Sequence, residues 1–317
     1  MEISPLLFDL GKPRPTTRQV ADTVRAGGAG ALTDAIRRAD AARYQEVHCR
    51  SALNGVKGMP FSWTLNPYRG CTHGCHYCYA RRYHRQFELS ADDEFASVIL
   101  VKTNIVEVLR RELRKPSWTH ELVALGTATD CYQPIEGSYK LTRGLLEALC
   151  EAGNPTSVVT KGPMVVRDTD VLIELSSRAK CSVCVSVPCV DEDVWRALEP
   201  GTASPLQRLR AVRELVDAGV HAGVLMAPIV PGISSRPVLL ERTIKAAVEH
   251  GACFVGANVM HLEGGTRDHF MHWLEKERPE LVDGYQQLYA TKYASLAYRD
   301  EVKKVLTVFR KKYGVEA

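Results

Sequence analysis

Residues 69–80 read RGCTHGCHYCYA, with Cys71, Cys75 and Cys78 in a CxxxCxxC spacing and His73, His76, Tyr77 and Tyr79 among and after them. Thiols this close along a chain are metal ligands in waiting. Zinc would accept Cys₃His, with His73 or His76 as fourth ligand, and would make the protein a non-catalytic binder. The spacing argues against it, since zinc folds generally set a CxxC pair against a second, distant pair. The other close pair, CSVC at 181–184, lies in a strand-like run whose alternation sends Cys181 and Cys184 to opposite sides. A cubane iron–sulfur cluster suits the spacing better: each iron wants a thiolate, and three thiolates leave one iron open to a small molecule. The missing ligand is then the functional feature.

Something must hold that loop. The chain has 317 residues, 45% of them hydrophobic and 25% charged, enough for one large α/β domain or two smaller ones. A formal net charge of +4 favours an anionic partner but falls short of a dedicated nucleic-acid binder. The first 20 residues carry no basic segment followed by an apolar one, and no run of about 18 apolar residues occurs, so neither export nor a membrane span is expected. Ten cysteines without export argue for a reducing cytoplasm rather than a disulfide framework.

From about Ser62 the chain alternates short apolar runs with amphipathic stretches. SWTLN (62–66), ASVILVK (96–102), ELVALGT (121–127), SVVTK (157–161), CSVCVSV (181–187), HAGVLMAPIV (221–230) and CFVGANVM (253–260) are predicted strands, with helices between them. One helix has plain boundaries: Ser204 to cap it, Pro205 at its first position and Gly219 to close it. Apolar strands joined by helices imply a parallel sheet of the α/β class, six or seven units of which make a partial or complete β/α barrel. Residues 1–60 read as an N-terminal extension, helix-like apart from GGAG at 27–30; 61–267 form the barrel, and 268–317 a basic C-terminal helical segment. The basic run RRYHRQF (81–87) reads as a solvated helix face.

CxxxCx(aromatic)C after the first barrel strand resembles the signature of the radical S-adenosylmethionine superfamily. NPYRGCTHGCHYCYAR, TATDCYQPIE, TKGPMVVRDTDVL, VSVP, WRALEPGTASPLQRLRAVRELVDAG and VLMAPIVPG together resemble its spore photoproduct lyase-like branch, over roughly Ser62 to Arg267. The resemblance implies a partial (β/α)₆-type barrel and a [4Fe-4S] cluster on Cys71, Cys75 and Cys78, with S-adenosylmethionine on the open iron. It implies reductive cleavage to a 5′-deoxyadenosyl radical and a flavodoxin- or ferredoxin-like electron donor. By the same resemblance Tyr77 packs near the adenine, and Tyr79 lines the pocket. Thr129 and Asp130 hold the methionine amino group, Lys161 its carboxylate, and Ser186 touches the ribose.

Two thiols depart from that pattern. Cys131 follows Asp130 where relatives commonly have proline, and Cys189 follows VSVP where an apolar residue or threonine is expected. Buried packing is the ordinary role of a cysteine, and is the expectation for Cys49, Cys150 and Cys253. For Cys131 and Cys189 the catalytic alternatives are hydrogen-atom donation to a product radical, ligation of a second cluster with Cys181 or Cys184, or sulfur delivery to the substrate. The expected substrate is a small molecule, with a nucleoside or nucleotide favoured over a nucleic-acid polymer.

Overall fold

The computed structural model describes residues 34–84, 90 and 93–317; the GGAG break lies outside them. Two sheets are built. The larger has seven strands in the order β10-β9-β8-β7-β6-β3-β2, where β2 is Leu53–Gly55, β3 Trp63–Leu65, β6 Val123–Leu125, β7 Thr156–Thr160, β8 Cys181–Ser186, β9 Ala222–Ile229 and β10 Val255–Val259. From β3 to β10 the pairings are parallel, six strands in all, and β2 adds an antiparallel edge. This is the expected six-unit α/β sheet, and among the described residues β10 and β2 do not pair, so it remains open.

One predicted strand belongs elsewhere. ASVILVK forms β5 (Val98–Lys102), but β5 pairs with β1 (Arg43–Val47) and β4 (Tyr68–Arg69) in a separate three-stranded sheet. Its apolar run is buried on both sides as a barrel strand's would be, and nothing in that pattern tells one sheet from another. Residues 43–47 and 53–55, within the stretch read as an extension, thus supply a strand to each sheet.

Alternation decides which side chains meet the helices. Val158, Val183 and Val224 are fully buried in the core between sheet and helices, while Ser157, Ser182 and Cys184 point to the other side and are half-buried. Cys181 and Cys184 therefore diverge, as their spacing requires. The helix Pro205–Asp217 starts on a capping box, in which Ser204 Oγ accepts from the Gln207 amide and the Gln207 side chain accepts from that of Ser204. It is followed by Gly219 at φ +88°. Such a cap contributes about 1 kcal/mol. The helix Leu296–Tyr313 closes the chain, and Glu316 beyond it bridges to Phe254 beside β10. No helix among the described residues is long and apolar enough to cross a membrane, and all ten cysteines are free thiols.

Candidate cofactor site at the barrel mouth

The cysteine loop follows β4 and is held from several directions. Cys71 N donates to Phe95 O at 2.9 Å, Thr72 N to Gln133 Oε1 at 3.1 Å, and His76 N to Leu198 O at 3.1 Å. Gly201 N donates to His73 O at 3.0 Å, and Thr266 Oγ1 to Cys78 O at 3.1 Å. Gly201 is needed for its size: a Cβ there would collide with the carbonyl oxygens of Thr72 and His73. Arg81 is buried, with Nε 3.0 Å from Cys75 O and Nη2 2.8 Å from Gly74 O. The solvated face expected for residues 81–87 is thus corrected at Arg81 and His84, both buried; residues 85–87 lie outside the described residues. A guanidinium that can bridge two carbonyls at once satisfies backbone the loop leaves bare.

Cys71 and Cys75 are buried and Cys78 is half-buried. Burial raises the pKa of Cys75 and of Cys78, and the neighbouring thiols raise both further. Of the two histidines that could have completed a zinc set, His76 faces other partners, while His73 sits between Asp130 and Cys71. His76 Nδ1 lies 3.0 Å from His269 Nε2, and its ring stacks on Trp273; burial, with His269 and Arg81 beside it, lowers its pKa to about 3. His73 Nδ1 is 3.4 Å from Asp130 Oδ2, at ion-pair distance but without hydrogen-bond geometry. Burial opposes its charge, yet Cys71 and Asp130 together raise its pKa to about 10. Among the described residues, Thr72 Oγ1 is buried without a hydrogen-bond partner. Among the described residues no group of three or more His, Cys, Asp or Glu side chains is already arranged to hold a metal ion; what fits an iron–sulfur group is the donor set, three free thiols on one loop pinned from several sides.

The residues expected around S-adenosylmethionine fall near the loop in different ways. Lys161 follows β7, with Nζ 5.6 Å from the centre of the Tyr77 ring. Burial opposes its charge, and Cys75 and Glu199 outweigh burial and raise its pKa. Ser186 ends β8, its hydroxyl donating to Ala227 O at 3.2 Å. Tyr79 donates to Thr127 O. Thr129 donates to Gly70 O at 2.7 Å. Asp130 accepts from Tyr132 N (2.9 Å), Thr160 Oγ1 (2.6 Å) and Lys161 N (2.6 Å); burial works against the carboxylate, but His73 and these donors hold its pKa at about 2. Both Thr129 and Asp130 thus fasten the cysteine loop to the ends of β6 and β7.

The two extra thiols have different neighbours. Cys131 is completely buried, its Sγ 3.8 Å from Val159 O. Cys189 is buried as well, next to Thr243 on the helix Pro237–Glu249. Burial raises the pKa of each.

Four residues of the site escaped the sequence reading: Gln133, Glu199, Arg208 and Arg81. Glu199 accepts from Tyr77 OH and, at 2.5 Å, from Arg208 Nη2. Arg208 also donates to Ser186 O at 2.7 Å. All four stand inside quoted stretches, Arg81 at the end of NPYRGCTHGCHYCYAR, Gln133 in TATDCYQPIE, and Glu199 and Arg208 in WRALEPGTASPLQRLRAVRELVDAG, so the signal was in hand without a role attached. Glu-Pro-Gly between two helices reads as a solvated turn.

A family model described as "Radical SAM superfamily" matches residues 65–240. An uncharacterised protein of Mycobacterium tuberculosis is 38% identical over 278 residues, covering 86% of this chain and 82% of the other. A "Radical SAM Nalpha-GlyT isomerase" of Pseudomonas phage M6 is 29% identical over 195 residues, 60% of this chain and 38% of that one. Among solved structures, a spore photoproduct lyase mutant with bound AdoMet and dinucleoside spore photoproduct aligns with a TM-score of 0.67 at 15% identity, covering 93% of this chain and 91% of that one.

Proposed function

Because the chain belongs to the radical SAM superfamily, an enzyme class that works with a [4Fe-4S] cluster and S-adenosylmethionine, we propose that Cys71, Cys75 and Cys78 hold that cluster and leave one iron for S-adenosylmethionine. The observation that carries this is the three-thiol loop, two of its thiols buried and one half-buried, with the Lys161 ammonium over the Tyr77 ring. The chemistry supplied by the bound pair is reductive cleavage to a 5′-deoxyadenosyl radical and abstraction of a hydrogen atom from the substrate. Lys161 meets the methionine carboxylate, Ser186 lies at the ribose, and the Tyr77 ring sits by the adenine. Thr129 and Asp130 act by anchoring the loop, because their side chains already have partners there. Cys131 is the thiol nearest these anchors in sequence; it is completely buried, and donating a hydrogen atom to a product radical would require it to be uncovered. A flavodoxin- or ferredoxin-like protein supplies the electron, in a reducing cytoplasm that suits ten free thiols.

The substrate reading is a nucleoside or nucleotide. Tyr83, Tyr79, His261 and Tyr293 follow one another with ring centres 6.2, 5.8 and 5.9 Å apart, from the cysteine loop to the exposed ring of Tyr293. Arg82 lies over Tyr83, and Lys292 and Arg299 over Tyr293, with Glu263 pairing with both Arg82 and Lys292. Rings with cations beside them suit a planar base and its phosphate, in keeping with the dinucleoside held by the lyase.

The test is anaerobic. The reconstituted protein is given dithionite and S-adenosylmethionine, and 5′-deoxyadenosine is measured by mass spectrometry beside a Cys71/Cys75/Cys78 triple-alanine variant. A brown wild type that releases deoxyadenosine, with a silent variant, is the expected outcome. A colourless protein carrying stoichiometric zinc, or a loaded cluster that releases none, sinks the reading. Nucleotides are then screened for faster release, and one that binds as a monomer should show a salt slope of only one or two charges.

A further inference from the structure

Glu199 is 3% exposed, and its carboxylate meets three elements at once. Oε1 accepts from Tyr77 OH in the cysteine loop and stands 3.9 Å from Lys161 Nζ at the end of β7. Oε2 takes Arg208 Nη2 at 2.5 Å, and the other arm of Arg208 reaches Ser186 O at 2.7 Å at the end of β8. The backbone on either side of Glu199 is fixed to the same loop, through Leu198 O to His76 N and Gly201 N to His73 O. Arg208 is itself fully buried. A fully buried guanidinium and a half-buried ammonium share this one carboxylate, which gives each side chain an arrangement in which its charge is answered.

We propose that Glu199 is a positioning residue for the radical reaction. It holds the Lys161 ammonium and the Tyr77 ring in register, so that S-adenosylmethionine finds both in place beside the cysteine loop. The inference rests on the reading above. It adds that affinity for S-adenosylmethionine depends on a carboxylate that acts through Lys161.

The test measures S-adenosylmethionine binding by equilibrium dialysis on cluster-loaded protein, with iron and sulfide counted per chain. Glu199→Gln keeps the shape and removes the charge, and its Kd should rise about tenfold at wild-type iron content, the size of one lost charge-assisted contact. In a Lys161→Met background the same change should add less than about twofold, because no ammonium is left to position. An unchanged Kd in Glu199→Gln, or an equal loss in both backgrounds, overturns the proposal. If Glu199→Gln does not load its cluster, Glu199→Asp, which draws the charge back by one methylene, is measured in the same two backgrounds against the same criteria. A wild type that loads its cluster and binds no S-adenosylmethionine would instead overturn the proposed function, a result read without any variant.

Discussion

Lys102 shows how a single buried charge can be read through pH. It is 5% exposed, and its ammonium donates to Asn66 O at 2.8 Å. Burial, with the Arg69 guanidinium nearby, lowers its pKa to about 8 from an ordinary 10.5. Between those values the unfolded chain binds the proton more often than the folded one, so raising the pH stabilises the fold. Relative to Lys102→Met, the wild type should gain up to about 3 kcal/mol as pH rises from 8 to 10.5, measured by urea unfolding of both proteins across that range. A difference that stays flat would mean that water reaches the amine. Asn66 Oδ1 meanwhile accepts from Ala128 N at 2.8 Å, so this residue links the small sheet to the loop that carries Thr129 and Asp130.

Among the elements, the segment 198–201 and the helix that follows it separate two kinds of damage. Gly201→Ala would drive a methyl into the carbonyl oxygens of Thr72 and His73 and push the cysteine loop outward. Ser204→Ala removes only the cap of the helix Pro205–Asp217, at a cost of about 1 kcal/mol. Iron per chain after reconstitution should fall to less than half in Gly201→Ala and stay full in Ser204→Ala, while Ser204→Ala alone behaves as a simple loss of stability. Equal iron in both would show that the loop tolerates displacement. The motif ending in EPGT was visible in the sequence. That its glycine touches the loop was not, because 128 positions separate Gly201 from His73 and no local pattern records a backbone approach.

At the scale of the whole molecule, the cysteine loop joins parts that have little else in common. It touches the loop after β6 through Gln133, the turn after Leu198, and the helix Gly264–Glu277 through Thr266 and the His76–His269 pair. A group bound only by the folded loop must stabilise all of them together. Removing iron from the reconstituted protein should therefore lower the melting temperature by several degrees, and adding S-adenosylmethionine to the loaded protein should raise it. The triple-alanine variant should respond to neither, as checked by anaerobic thermal unfolding. A loaded protein that melts with the iron-free one would mean the loop is not coupled to the rest.

Read alone, the sequence determined the cysteine loop, the rhythm of strands and helices, and the boundaries of the helix at Pro205, because each is a local matter of spacing, period and capping. Alternation within CSVC likewise settled that its two thiols part company. The tertiary structure decided which sheet received ASVILVK, since an apolar run carries no address. It also decided that Arg81 is buried, that Asp130 answers His73, and that Glu199 stands between Lys161 and Arg208. Those pairings join residues far apart in the chain, and a charge that reads as solvated in sequence becomes structural only when folding removes its water and offers it one partner.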